Sequence, residues 1–178
     1  MTNKKYFFIG IGGIGMSSIA QYLYANKNIV LGYDTSESKS VKILVNKGIE
    51  VINKQNLESI PDYMKKDDVI VVYTPAIPDD NIFLKYFRKN GNRKIYKRSE
   101  ILGEISKQFK CIAIAGTHGK TTTTAIISHL FHSSGIQFKA FIGGIMKCFD
   151  SNFINTGNDY IIVEADEYDR SFLNLNPN

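Results

Sequence analysis
The stretch Ala115-Gly116-Thr117-His118-Gly119-Lys120-Thr121-Thr122 restricts the fold of this chain more than any other. It follows the apolar run over 111–115, which reads as a buried strand, and it opens a segment with helical periodicity. A strand, a glycine-bearing turn and a helix N-terminus aim several backbone N–H groups and the positive end of a helix dipole at one point, which is a site for phosphate. Lys120 can reach outer phosphates as a point charge, and the Thr121 hydroxyl can ligate Mg²⁺. The spacing departs from the longer phosphate-loop pattern, because Ile114 stands where that pattern has its first glycine. What remains is Gly116-x-x-Gly119-Lys120-Thr121, a shorter loop.

A second glycine cluster lies near the start. Gly10-Ile11-Gly12-Gly13-Ile14-Gly15 contains G-x-G-x-x-G after the apolar run 6–9 and before a helical pattern over 14–25. Asp34 ends the next predicted strand, 29–33. This is the dinucleotide fingerprint in its expected context: the glycines permit a tight turn and close approach to a pyrophosphate, and Asp34 can accept a hydrogen bond from a ribose hydroxyl. The motif speaks for the diphosphate and is silent on what is attached to it.

The pattern continues as alternating strands and helices. A helix is predicted over 36–46 and a short strand over 49–52. The run 68–73 is apolar throughout, as a parallel strand covered on both faces requires. A loop at 74–78, a helix over 80–89 and a connecting helix over 99–108 follow. Beyond the phosphate loop, a helix to about 133 and strands over 138–142 and 160–163 are expected. Glu164-Ala165-Asp166-Glu167 ends the last strand, where a Mg²⁺-bound nucleotide needs a carboxylate. Glu164 is the first choice of metal ligand, with Asp166 and Glu167 behind it.

Composition narrows the function. Hydrophobic residues make up 43% of the 178 and charged residues 22%, as in an ordinary globular protein. A net charge of +5 suits anionic ligands, but the basic residues are scattered and form no nucleic-acid stripe. The two cysteines, Cys111 and Cys148, form no metal-binding motif and fit a reduced, cytoplasmic setting. No run reaches the ~20 apolar residues of a membrane span, so membrane insertion is not expected. His129 and His132 share a helix face without a third ligand of suitable spacing, and no Ser–His–Asp arrangement is visible.

Taken together, the glycine cluster at 10–15, the loop Gly116-Thr117-His118-Gly119-Lys120-Thr121-Thr122 and the acidic run at 164–167 resemble the Mur ligases in order and spacing. Thr74-Pro75-Ala76-Ile77 is also similar to that family's loop after the fourth strand. The resemblance implies an α/β chain with a Rossmann-like, parallel-sheet UDP-sugar-binding domain over 1–107. The start of a P-loop-type ATP-binding domain, left incomplete, follows over 108–178.

It further implies an ATP- and Mg²⁺-dependent ligase that activates the carboxylate of UDP-N-acetylmuramate as an acyl phosphate and joins it to L-alanine, in peptidoglycan precursor synthesis. Asp169-Arg170-Ser171-Phe172-Leu173 favours that branch over the related murein-tripeptide recycling ligases. By the resemblance, Lys120 and His118 are catalytic, and Gly116, Thr117, His118, Gly119, Lys120, Thr121 and Thr122 hold ATP. Gly10, Gly12, Gly13, Ile14, Gly15, Asp34, Thr74, Ala76 and Ile77 hold the UDP-sugar, and Thr121 and Glu164 hold the metal. The unfinished second sheet marks the chain as the front part of a longer protein, inactive alone. An NAD-dependent oxidoreductase, which leaves the second loop without a task, and a non-catalytic nucleotide-binding module are the alternatives.

Overall fold
The computed structural model describes residues 3–89 and 93–165, together with Leu175 and Pro177. The expectations placed on Asp166, Glu167 and residues 169–173 lie outside the described residues. The chain divides into two compact units, Met1–Arg98 and Ser99–Asn178.

The first unit is built on a five-stranded sheet in the order β3-β2-β1-β4-β5, parallel throughout. Its strands are β1 (Lys5–Ile9), β2 (Ile29–Tyr33), β3 (Glu50–Ile52), β4 (Val69–Tyr73) and β5 (Ile95–Lys97). The connecting helices are α1 (Ile14–Ala25), α2 (Lys39–Asn46) and α3 (Ile82–Lys89). Strand order reverses between β1 and β4, so the crevice outside their C-terminal ends is the topological switch point where such sheets bind ligands.

β1 is buried on both faces. Phe7 and Ile9 join the cluster formed with Phe83 and Phe87 of α3, and Phe7 meets those two rings at 5.8 and 5.0 Å. Tyr33 adds a third ring contact, edge-on and 4.7 Å from Phe83. Such pairs each contribute about 0.5–1.5 kcal/mol beyond area burial. On the opposite face Phe8 pairs in register with Gly32, where an added Cβ would stand 2.9 Å from the Phe8 Cβ and 2.6 Å from Ile11. Gly32 lets Ile11, the second residue of the glycine turn, lie against the sheet.

α2 begins three residues later than the periodicity predicts. The Asp34 carboxylate accepts the Ser36 backbone N–H and hydroxyl, which holds 34–36 in a turn. Ser38 then caps the helix by accepting the Val41 N–H at 3.3 Å.

α4 (Arg98–Ser106) forms where the connecting helix is predicted, and the division between the units falls at its first residue. The second unit carries a four-stranded sheet, β6-β9-β7-β8, made of β6 (Lys110–Ile114), β7 (Phe138–Met146), β8 (Ser151–Asn155) and β9 (Tyr160–Glu164). β6, β9 and β7 run parallel, and β8 turns back antiparallel on β7. α5 (Lys120–Ser133) follows the phosphate loop, and its Ile127 and Phe131 pack on the cluster around Phe138, Ala140 and Ile162.

Two features here differ from the sequence reading. β7 runs four residues past 142, through Gly143-Gly144, and its register with β8 shifts between Phe141 and Met146. β8 has no counterpart in the prediction. Its sequence Ser-Asn-Phe-Ile-Asn lacks an apolar run, but Ser151 meets its own polar needs by exchanging hydrogen bonds with the Phe153 backbone. Lys139 on β7 is also unexpected. Its ammonium is buried, donates to Gly157 O at 2.7 Å and Asn158 Oδ1 at 2.6 Å, and faces the Phe109 ring at 5.0 Å. No helix among the described residues is long and apolar enough to cross a membrane.

Candidate functional site
Each unit places one glycine turn at the C-terminal ends of its parallel strands. In the first unit, Gly10 leaves β1 at φ +83°, and the N–H groups of Gly10 and Ile11 both donate to Tyr33 O, at 2.8 and 3.1 Å. The Gly12 N–H donates to Asp34 Oδ2 at 2.7 Å. Gly13 precedes α1, and no side chain caps that helix, so its N-terminal turn suits an anion.

Packing around these glycines is tight. A Cβ on Gly10 would meet Thr74 at 3.1 Å and Ile77 at 3.3 Å. On Gly12 it would meet Val41 at 2.6 Å and Asp34 at 2.8 Å, and on Gly15 the Arg98 guanidinium at 2.8 Å. Thus Gly10, Gly12, Asp34, Thr74 and Ile77 converge as the sequence suggests, and Ile14 starts α1 beside them. Ala76 is exposed on the loop after β4.

A cleft of about 390 Å³ opens beside the turn, lined by Gly10, Asp34 and Ile77 together with Tyr33, Thr35, Gln55, Pro78, Asp80 and Asn81. Gln55 accepts the Tyr33 hydroxyl at 3.3 Å. Burial, with the Asp34 charge adding to it, raises the Tyr33 pKa above its ordinary value. Sequence reasoning missed Gln55 and Asn81, which belong to no motif, and Arg98, which stands far along the chain from Gly15.

The second unit's loop is built differently. Gly116 and Gly119 adopt φ +143° and +79°, conformations that side chains resist. A Cβ on Gly116 would meet nothing nearer than the His118 carbonyl at 3.4 Å, and one on Gly119 nothing within 4 Å. Gly119 stands at the N-cap of α5, where no side chain serves as a cap. Thr117, His118 and Thr122 are exposed. Lys120 folds back over the loop, its Nζ donating to Gly116 O at 2.6 Å.

Thr121 and Glu164 meet although 43 positions separate them: the Thr121 hydroxyl donates to Glu164 Oε2 at 3.0 Å. The ladder between β6 and β9 brings Glu164 there, since Ile114 and Glu164 are partners and Ala165 N–H donates to Ile114 O. The Gly143 N–H, missed by sequence reasoning, holds the other carboxylate oxygen at 2.7 Å. A glycine pair at the end of an apolar strand was the available signal.

The donors fit the implied ligands. One carboxylate and one hydroxyl are hard oxygen donors of the kind Mg²⁺ uses when phosphates complete its shell, and no group of three His, Cys, Asp or Glu exists among the described residues to suggest a different metal. An open glycine loop with a lysine and an uncapped helix N-terminus fits a nucleoside triphosphate. His132 lies edge-on to Phe149 at 5.0 Å.

Comparison with known proteins agrees with this geometry. The model of the Mur ligase family catalytic domain matches residues 5–110. A UDP-N-acetylmuramate–L-alanine ligase of Christiangramia forsetii is 44% identical over 177 residues, covering 98% of this chain and 39% of that protein. One from Cytophaga hutchinsonii is 46% identical, covering 96% of this chain and 38% of that protein. Among solved structures, the UDP-N-acetylmuramate-alanine ligase of Thermotoga maritima superposes with a TM-score of 0.88 at 31% identity, over 98% of this chain and 40% of that one. The chain therefore spans about two fifths of the length of these relatives.

Proposed function
Because the chain belongs to the Mur ligase family, we propose that it serves an ATP-dependent ligase that joins L-alanine to the carboxylate of UDP-N-acetylmuramate through an acyl phosphate. Eight curated relatives, 41–47% identical, carry the name UDP-N-acetylmuramate–L-alanine ligase. The observation that carries the reading is the convergence of Lys120, Thr121 and Glu164 at a second phosphate loop, a constellation that a hydride-transferring enzyme built on the first turn alone does not need. The reaction belongs to peptidoglycan precursor synthesis in the cytoplasm, where ATP and the UDP-sugar are available.

In this reading the first unit grips the sugar nucleotide. The uncapped start of α1, with Gly12, Gly13, Ile14 and Gly15, receives the diphosphate. The cleft beside Gly10, Thr74, Ala76 and Ile77 takes the remainder. Asp34 already accepts three donors of its own chain, and a carboxylate has about four acceptor positions; the last is assigned to a ribose hydroxyl.

In the second unit Lys120 exchanges the Gly116 carbonyl for phosphate oxygens, and the amides of 116–122 surround the same charge. His118, exposed in the loop, contributes a further polar group at the outer phosphate. Thr121 and Glu164 are the residues that hold Mg²⁺, which, when bound, screens the repulsion between an attacking carboxylate and the phosphoryl group. Lys120 and the loop amides stabilise charge that grows on that group during transfer.

Calorimetric titration of the chain with UDP-N-acetylmuramate, NADH and ATP tests the reading. UDP-N-acetylmuramate is expected to bind more tightly than NADH, and ATP to bind independently. NADH binding with equal or greater affinity would remove the ligase reading's first support.

A further inference from the structure
One arrangement beside the phosphate loop has no task in the proposed reaction. Beyond Phe141, which pairs with Val163, β7 stops matching β9 residue for residue. Its register with β8 is interrupted between Phe141 and Met146. Such an irregularity re-aims a strand's backbone groups. Here the Gly143 N–H turns to Glu164 Oε1, at 2.7 Å, a length usual for a charge-assisted bond.

The glycine also makes room. A Cβ at 143 would lie 2.6 Å from Glu164 Oε2 and 3.0 Å from Thr121 Oγ1, and one at 144 would lie 3.2 Å from Thr121 Cγ2. No side chain can occupy position 143 while Thr121 and Glu164 keep their places.

We propose that Gly143 is the positioning residue of the divalent-cation seat: its amide pivots the Glu164 carboxylate, and its missing side chain leaves the space between Glu164 and Thr121 in which the cation is received. This rests on the reading of Thr121 and Glu164 as metal-holding residues. The Thr121 hydroxyl donates to Glu164 Oε2. Thr121 Oγ1 and Glu164 Oε2 would be the donors that hold a cation, the Thr121 O–H turning away from Oε2, while Oε1 would stay on the Gly143 N–H. No proton leaves the site. Only the donor of one hydrogen bond is redirected, and Glu164 needs no new rotamer.

The test is ATP affinity of the full 178-residue chain, measured by calorimetry in excess Mg²⁺ and again in EDTA, for wild type and Gly143→Ala. Wild type binds ATP more tightly with Mg²⁺. In Gly143→Ala this metal-dependent gain falls roughly 10- to 100-fold, the usual cost of losing a group that orients a metal ligand, while affinity in EDTA and the circular dichroism spectrum are unchanged.

An unchanged Mg²⁺ gain would overturn the inference, as would an equal loss of affinity in EDTA, which would mark Gly143 as a prop of the whole loop. If Gly143→Ala does not fold, the Gly143 amide proton of the wild-type chain decides by NMR. It is expected to keep its protection from exchange when Mg²⁺ and ATP are added, and to move upfield in Glu164→Gln. Loss of that protection on adding Mg²⁺ and ATP would overturn the pivot. A wild-type chain whose ATP affinity ignores Mg²⁺ would overturn the metal reading of Thr121 and Glu164 as well, so the two failures are distinguishable.

Discussion
The two glycine turns look alike in sequence and are opposite in construction. In the first, glycine is required because other atoms press on it: Val41 and Asp34 against Gly12, Thr74 and Ile77 against Gly10, Arg98 against Gly15. Its N–H groups are largely spent within the chain, on Tyr33 O and Asp34. In the second, the space around Gly119 is empty, and the glycines are required by their positive φ. One turn is a packed joint that holds a cleft in shape, and the other is an open ring of backbone with charge beside it. A phosphate-binding motif can thus spend its glycines on close packing or on conformation, and only the surroundings tell which.

The largest expected effect separates the turns by task. If the proposed ligation holds, then in a protein of the relatives' full length that carries this chain, Lys120→Ala and Glu164→Ala should each lower the ligation rate by roughly 10²–10³, about 3–4 kcal/mol of transition-state stabilisation, with UDP-N-acetylmuramate affinity unchanged. Steady-state rates over a Mg²⁺ titration, beside a binding measurement, check this. A Glu164→Ala enzyme of near-normal rate and Mg²⁺ dependence would show that the second turn does not work through its metal.

Next in size is a pair of alanine substitutions. Gly12→Ala forces a methyl group into Val41 and Asp34 and should cost about 1–3 kcal/mol of stability, the usual price of overpacking. Gly119→Ala meets open space and should lose only the left-handed backbone penalty, about 1–2 kcal/mol. Denaturant unfolding gives both values. The sharper distinction is in ligand binding: Gly12→Ala should weaken UDP-sugar binding and spare ATP, and Gly119→Ala the reverse. Equal effects on both ligands would erase the contrast.

The smallest effect concerns charge. In the first unit Lys5 is paired with Asp68 at 2.8 Å. In the second the Lys139 ammonium is buried against neutral oxygens, and burial pushes its pKa below the ordinary 10.5. The unfolded chain then holds the proton at pH values where the folded one has released it, so folding stability rises with pH between the lowered value and 10.5 and is lost as pH falls through the lowered value. The stability difference between wild type and Lys139→Met should therefore shift in favour of wild type as pH is raised through that window. A difference independent of pH would show that the ammonium remains solvated.

The first unit was more legible in sequence than the second, for a physical reason. Parallel strands buried on both faces must be apolar runs, and β1, β2 and β4 are; their order in the sheet came only from the structure. β8 was illegible because an edge strand closing on itself through Ser151 needs no apolar signature. β7 was read too short because Gly143-Gly144 looks like a strand end, whereas the strand continues through an irregularity. Motifs named Lys120, Thr121 and Glu164 correctly as neighbours of one loop. They could not name Gly143, 21 positions from Glu164, or Gln55, because those contacts are made by tertiary folding and not by local spacing.

The bond from Lys120 to the Gly116 carbonyl has a consequence for selectivity. The Lys120 ammonium already donates to the Gly116 carbonyl at 2.6 Å, so the ring does not act as a general trap for anions. An incoming ion must replace that bond before it gains anything from the lysine. Inorganic phosphate or sulfate offers little beyond the exchange. A polyphosphate chain reaches the amides along the whole loop as well, so the latch yields to it first. The ring thus screens by ligand length before any base or ribose is read, and abundant small anions should be poor competitors for nucleotide.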